Sequence, residues 1–378
     1  MTQLPVSIRL NPFKGLDGPE GTPIPWSPYG RLLESRPVFT LDPLFHAGCY
    51  YVQDSSAMYV GHIFRKALAK IGRPGLKVLD LCAAPGGKTT DLACSLREAY
   101  GDDFLLVSNE VMKERARVLS DNIALWGDPN VFVCSVDPAV LGRLAGFFDI
   151  IVCDAPCSGE GMFRKDARAV EDFSEQTVEL CAARQKRILS DVWPALREGG
   201  ILVYSTCTYQ QRENDDNLLW TAETLGGEII PAENEFAGNG VTLTQFGHLL
   251  KAGAVPGEGQ WVGSLVKTAP APGKSAPLES VIKPLRYGIY KGEQKGRKFV
   301  PDSDYALSIG YGDEYPRIDL DRDGALEYLH HDTLRFPDRA LGYNAVCYRG
   351  HPLGFVNNIG SRCNNLHPAA RRILMNIK

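Results

Sequence analysis

Between about Gly75 and Thr268 the chain alternates short apolar runs, each closed by a turn signal, with stretches of helical spacing. That alternation leaves few architectures open: a parallel sheet wound with helices, Rossmann-like, is the α/β fold that reads this way. Strands are predicted at Lys77–Leu81, Phe104–Ser108, Val131–Ser135, Asp149–Cys153 and Ile201–Ser205. Between them, Lys113–Trp126 sets Ala116, Leu119 and Ile123 on one helical face, and from Ser174 onward Val178, Ala182, Leu189, Val192 and Leu196 recur at helical spacing. Pro194 is expected to kink that helix and Gly199-Gly200 to stop it. A helix around Asn214–Glu223 follows, then Val241–Phe246 and Trp261–Lys267 as a terminal antiparallel pair.

Four parts are expected: an N-terminal module (1–66), the sheet domain (67–267), a linker (268–283) and a small, mostly β C-terminal domain (284–378). The linker is placed where Pro, Ala and Gly accumulate without apolar periodicity. Beyond it, Arg286–Tyr290, Tyr305–Ile309, Ala345–Arg349 and Pro352–Asn357 read as short strands. The ten cysteines include no Cys-x-x-Cys pair, which argues against a zinc site or a secreted disulfide framework, so no metal is expected. Without a signal-like N-terminus or a run of ~20 apolar residues, the expectation is a soluble, cytoplasmic protein away from membranes. The net charge of −4 speaks against nucleic-acid binding on average. From Pro284 to Lys378, however, 14 Lys and Arg stand against 11 Asp and Glu, so that part is +3.

The segment Leu79-Asp80-Leu81-Cys82-Ala83-Ala84-Pro85-Gly86-Gly87-Lys88-Thr89-Thr90 reads as a strand, a tight turn and a helix start. Its glycines would let backbone approach a ligand, and Asp80 sits at the strand's carboxyl end, where ligands of open α/β sheets bind. A phosphate loop would need Gly at position 82, where Cys stands, so a nucleoside triphosphatase is disfavoured. Glu110 ends the next strand 23 residues after Gly87, close to the ~20-residue offset of a ribose-binding carboxylate. Asp137, after the third strand, is placed to reach an adenine amino group; an Asp starting a turn before Pro138 is the competing account. With no Gly-x-Gly-x-x-Gly fingerprint, S-adenosylmethionine fits better than NAD, cradled by Asp80, Cys82, Ala83, Ala84, Pro85, Gly86, Gly87 and Lys88 with Glu110 and Asp137. The side chains of Cys82, Cys134 and Cys153 read as core.

Two more segments carry chemistry: Asp154-Ala155-Pro156-Cys157-Ser158-Gly159-Glu160-Gly161 and Ser205-Thr206-Cys207-Thr208-Tyr209. With the cofactor turn, these segments resemble the RNA 5-methylcytosine methyltransferases of the Sun (nucleolar protein) family. Tyr50–Met58 and Ser7–Pro12 are similar to its bacterial F-type branch, which acts on 16S ribosomal RNA. The resemblance implies a class I methyltransferase sheet and a PUA-like RNA-binding C-terminal domain. It implies Cys207 as nucleophile, Cys157 as the residue assisting release, Asp154 as the partner of cytosine N3 and a cofactor-side residue, and Lys88 near the cofactor or the cytosine. Arg115 is implied as a cofactor-side arginine, with a solvated face as the plain alternative. Gln53 and Asp54 either line the cytosine pocket or cap a helix. Cytosine C5 is a poor nucleophile, so a thiolate must first add at C6, and a second cysteine then helps break the adduct. The partner expected is RNA, 16S ribosomal RNA or the small subunit first and transfer RNA second. A non-catalytic RNA-binding assembly factor is the rival from another class.

Overall fold

The computed structural model describes residues 6–160 and 173–377, so Gly161, at the end of the Cys157 loop, lies outside the described residues. Four N-terminal strands, β1 (Val6–Leu10), β2 (Thr22–Pro23), β3 (Gly30–Leu33) and β4 (Tyr50–Val52), form a sheet of order β2-β3-β1-β4. A ten-stranded sheet follows. Its parallel centre is β5 (Leu76–Asp80), β6 (Phe104–Asn109), β7 (Val131–Cys134), β8 (Phe148–Asp154) and β9 (Leu196–Thr206), in the order β9-β8-β5-β6-β7. Strand order reverses between β5 and β8, and the carboxyl ends at such a switch point flank the crevice where ligands of this fold bind. Period-two alternation serves both faces. Val78, Leu106, Val133, Ile150 and Val203 pack against one helix layer, and Leu79, Val107, Phe132, Ile151 and Leu202 against the other. At ~1.5–3 kcal/mol per buried aliphatic side chain, these two cores hold the site rigid.

The helix Lys113–Trp126 buries Ala116, Leu119 and Ile123 as its spacing predicts, and Gly127 ends it at φ +82°. Helix Glu175–Val192 begins where the Ser174 hydroxyl accepts from the Thr177 N–H at 3.1 Å. Pro194 does not kink this helix: the helix gives way to a 3-10 turn at Trp193–Ala195, and Gly199-Gly200 falls inside β9. The Gly200 Cβ would meet the Asp149 carbonyl at 2.9 Å, so close strand approach, not helix termination, selects glycine there. Further along come β10 (Gly227–Ile229), β11 (Val241–Leu243), β12 (Gly247–Leu250) and β13 (Gln260–Lys267). The predicted pairing of the Val241 and Trp261 strands is corrected: β12 intervenes, paired antiparallel to both.

The stretch 268–283 is not a free spacer. The Ala276 N–H donates to the Arg143 carbonyl at 3.0 Å, and Val281 and Ile282 are buried in the second core. The chain then adds β14 (Arg286–Tyr287) antiparallel to β7, covering that edge of the main sheet. A hairpin of β15 (Gly292–Lys295) and β16 (Lys298–Pro301) stands as its own two-stranded sheet. Tyr305–Ile309, expected as a strand, lies largely in the helix Ser303–Leu307, because the Asp302 carboxylate caps it by accepting from the Asp304 N–H at 2.9 Å. Finally β17 (Arg317–Leu320), β18 (Gly342–Tyr348), β19 (His351–Asn358) and β20 (Cys363–Asn365) make a four-stranded sheet in that order, with the helix Arg322–His330 on it. This C-terminal layer does not close a core alone. Leu326, Leu329, Val346, Leu353 and Ile373 share one cluster with Val6, Ile8, Leu10 and Tyr50 of the N-terminal sheet and Leu44 of the helical turn Pro43–His46.

Candidate active site

At the carboxyl ends of β5, β6, β8 and β9 lies a cleft of about 430 Å³. Cys82, Ala84, Glu110, Arg115, Asp137, Asp154, Cys157 and Cys207 line it. The Cys157 and Cys207 Sγ atoms are 3.2 Å apart, although 50 residues separate them in sequence. Adjacent parallel strands β8 and β9 bring the two loops together. The hydrogen Cys157 shares with Cys207 holds the Cys207 thiol below its ordinary range, against burial and helped by the Lys88 ammonium. That same hydrogen bond, with burial, pushes Cys157 well above it. The pair therefore favours a Cys207 thiolate beside a Cys157 thiol.

Asp154, which ends β8, is held by three donors. Lys88 Nζ reaches Oδ2 at 2.8 Å, and Ser205 Oγ and Gln260 Nε2 reach Oδ1 at 2.7 and 3.0 Å. Burial pulls the Lys88 ammonium down, but the Asp154 carboxylate outweighs it and the pKa is raised. Lys88 is thus a cation fixed behind Asp154, where the Gly87–Tyr100 helix starts.

The predicted cofactor cradle is divided by the structure. Glu110 faces the cleft, accepting from the Met112 N–H at 2.9 Å, and Arg115 Nη1 lies 3.3 Å from it. Arg115 Nη2 also donates to the Ala84 carbonyl at 2.9 Å, so the arginine buttresses the turn. Asp137 both lines the cleft and caps the Pro138–Leu141 turn, accepting from the Ala139 N–H at 2.9 Å. Cys82 is half-buried and faces the cleft, whereas Cys134 and Cys153 are core as expected. Asp80 sits under the turn, fully buried, accepting from Thr89 Oγ1 at 2.6 Å, and burial lifts it to about 7. Neither glycine of the turn lines the cleft, and both are packed against neighbouring side chains. Gly86 has φ +116° and its Cβ would meet Leu119, while that of Gly87 would meet Tyr51 and Gln53. They admit neighbouring side chains to the turn.

Gln53 and Asp54 do not line the cleft either. Asp54 Oδ1 accepts from the Ser56 and Ala57 N–H groups at 3.0 and 3.3 Å, which is the capping account. Its Oδ2 accepts from the Glu258 N–H at 3.0 Å, so it also anchors the loop leading to Gln260.

Sequence reasoning missed several residues. Glu213 accepts from the Ser158 N–H at 3.1 Å and Gln185 Nε2 at 2.7 Å, pinning the Cys157 loop, and burial raises its pKa. Glu160 does the same for the Cys207 loop, accepting from Thr208 Oγ1 and the Tyr209 N–H, each at 2.7 Å. Arg184, Arg187 and Asp191 line the far wall. Their spacing of three and four residues places them on one helical face, a signal that was available.

The strand order and the cleft at its switch point define a Rossmann-like methyltransferase fold. Three family models match: 16S rRNA methyltransferase RsmB/F over residues 72–223, the N-terminal domain of 16S rRNA methyltransferase RsmF over 1–55, and the methyltransferase RsmF PUA domain over 315–373. The chain belongs to this RsmB/F methyltransferase family. Ribosomal RNA small subunit methyltransferase F of Escherichia coli (strain K12) is 36% identical over 294 residues, covering 73% of this chain and 60% of the relative; the Shigella boydii protein of the same name matches equally. The chain thus spans about 60% of the length of the curated relatives it matches. Among solved structures, a methyltransferase homolog protein from Pyrococcus horikoshii is 26% identical with a TM-score of 0.58, covering 70% of this chain and 87% of that one. NSun6 from the same organism, solved with SFG, is 26% identical with a TM-score of 0.50, covering 62% and 57%.

Proposed function

We propose that the chain is a cytoplasmic, S-adenosylmethionine-dependent RNA methyltransferase that methylates cytosine C5 in 16S ribosomal RNA through a covalent adduct. The observation that carries this reading is the Sγ–Sγ contact of 3.2 Å beside the Lys88–Asp154 pair. The cleft suits the cofactor. Glu110 and Asp137 offer carboxylates for ribose and adenine, Leu81, Val111 and Met112 give apolar walls, and Ala84 leaves room at the turn. SFG, an S-adenosylmethionine analogue, accompanies the NSun6 relative and supports the same choice. Bound there, S-adenosylmethionine supplies an electrophilic methyl group.

In this reading the Cys207 thiolate adds to cytosine C6, the displaced electron pair of the ring moves to N3, and the Asp154 carboxyl donates a proton to N3 as general acid. Lys88 fixes the Asp154 carboxyl and favours the Cys207 thiolate. Carbon C5, now enamine-like, takes the methyl group. Water then takes the C5 proton, the C5–H electron pair restores the C5–C6 double bond, and Cys207 leaves as a thiolate that the Cys157 thiol, 3.2 Å away, stabilises by hydrogen bonding. A base held in a stack cannot reach two cysteines inside a cleft, so opened or single-stranded RNA is required.

Bisulfite sequencing of ribosomal and transfer RNA, with and without the gene, tests the reading. A cytosine in 16S RNA that is protected when the gene is present and converted when it is absent supports it. Such a difference confined to transfer RNA moves the substrate, and no difference anywhere favours a non-catalytic assembly factor.

A further inference from the structure

Lys283, Arg286, Lys291, Lys295, Arg297 and Lys298 stand against the single acid Glu293 within residues 283–300, giving +5 in a chain of net −4. Structure concentrates that charge further. Arg286 is held by Asp304 at 2.6 Å and fastens β14 to the main sheet, but the β15–β16 hairpin beyond it is exposed over most of its length. Lys295 and Lys298 are direct partners across the hairpin, so they share one face, and Arg297 occupies the turn. Among the described residues, Arg297 and Lys298 form no ion pair; Lys295 is 2.6 Å from Glu293 and Lys291 is 3.3 Å from Glu314. Three aromatic residues interleave with the cations: Tyr287, Tyr290 and Phe299 are 65, 57 and 42% exposed. A two-stranded hairpin that buries so little adds almost nothing to stability, so packing does not account for its composition.

We propose that this hairpin, with Tyr287 and Tyr290, is a docking surface for single-stranded RNA outside the catalytic cleft. Lys295, Arg297 and Lys298 hold backbone phosphates, and the exposed rings stack on bases. The proposal rests on the RNA methyltransferase reading and extends it to a surface that precedes the PUA match at 315–373. An anionic membrane would also attract the lysines. Interleaved tyrosines and a cleft that requires opened RNA favour RNA.

The test compares the full chain with the variant Lys295→Gln/Arg297→Gln/Lys298→Gln, using a 16S ribosomal RNA transcript and, separately, anionic phosphatidylserine vesicles. At ~0.7 per single-strand phosphate contact, the slope of log affinity against log salt should fall by about 2, with RNA affinity down about tenfold or more. Cofactor affinity and kcat at saturating RNA should hold while KM for RNA rises. Tyr290→Ala should weaken binding about tenfold with the salt slope unchanged. Parental methylation with undiminished RNA affinity in the triple variant overturns the hairpin assignment alone. So does a loss seen only with vesicles. A parent that binds no RNA overturns the hairpin assignment and the functional reading together.

Discussion

Arg9 Nη2 donates to the Gly87 carbonyl at 3.2 Å, joining the first strand of the chain to the glycine turn 78 residues later. Arg9 is 1% exposed, its Nε donates to Gln53 Oε1 at 2.9 Å, and its guanidinium lies 4.6 Å from the Trp126 ring centroid. The N-terminal sheet is thereby fastened to the turn that carries Lys88.

Arg9→Ala should cost about 3 kcal/mol, because it leaves Asp91 as a buried carboxylate with Arg65 alone for a partner. Arg9→Lys should not restore it, since a compact ammonium cannot stand both where Nε meets Gln53 and where Nη2 meets Gly87 and Thr90. Urea unfolding of the three proteins measures this; equal midpoints would refute it.

The two cysteines should fail differently. Cys207→Ala should abolish methyl transfer and any protein-RNA adduct, whereas Cys157→Ala should permit addition and methylation but trap the enzyme on RNA. A denaturing gel shift with cytosine-containing RNA reads both outcomes. Trapping by Cys207→Ala instead would reverse the roles.

Removing the Gln260 donor should act on chemistry more than on binding. Gln260→Leu deletes one of two hydrogen bonds to Asp154 Oδ1, so kcat should fall about tenfold or more while cofactor affinity holds. Isothermal calorimetry beside single-turnover methylation separates the two; a matching loss of cofactor affinity would contradict this role.

Asp80 makes stability depend on pH in a stated direction. Burial lifts its pKa from 3.8 to about 7, so between those values the folded chain binds a proton that the unfolded chain releases. Its contribution therefore falls as pH rises from about 4 to about 7. Asp80→Asn should flatten that part of the profile and gain stability at pH 8 by a few kcal/mol at most, since each tenfold change in proton affinity is worth ~1.4 kcal/mol. Denaturant melts at pH 5 and pH 8 decide it.

Deleting residues from Pro284 onward should do more than weaken RNA binding. Ile8, Leu10 and Tyr50 share their core with Leu326, Leu329 and Val346, so the truncation strips one wall from the N-terminal sheet. Limited proteolysis should show cleavage within residues 6–52 of the truncated protein but not of the parent. Equal protection would mean that the N-terminal sheet stands alone.

The parallel centre of the sheet was legible because its strands are buried on both faces and read as continuous apolar runs. Cys157, Cys207, Asp154 and Glu110 were legible because they follow such runs. What escaped depends on contacts distant in sequence. Glu213 is an ordinary acid until Gln185 and Ser158 close around it, and Gln260 gains meaning only when β13 lies beside β9. The neighbours of the glycine turn were not legible, because a sequence shows that Cβ is missing without showing what fills the space. The stretch 268–283 reads as a spacer by composition, yet Val281 and Ile282 pin it to the sheet.

The core shared by the first and last sheets also sets an order of events during synthesis. Val6, Ile8 and Leu10 leave the ribosome long before the side chains that complete their surroundings, Leu326 to Ile373. The methyltransferase sheet, whose two cores lie almost wholly within residues 24–282, can close in the meantime. At ~5–20 residues per second, the N-terminal strands wait tens of seconds with an apolar face uncovered. Over that interval those strands present to the cell the kind of uncovered apolar surface that chaperones bind.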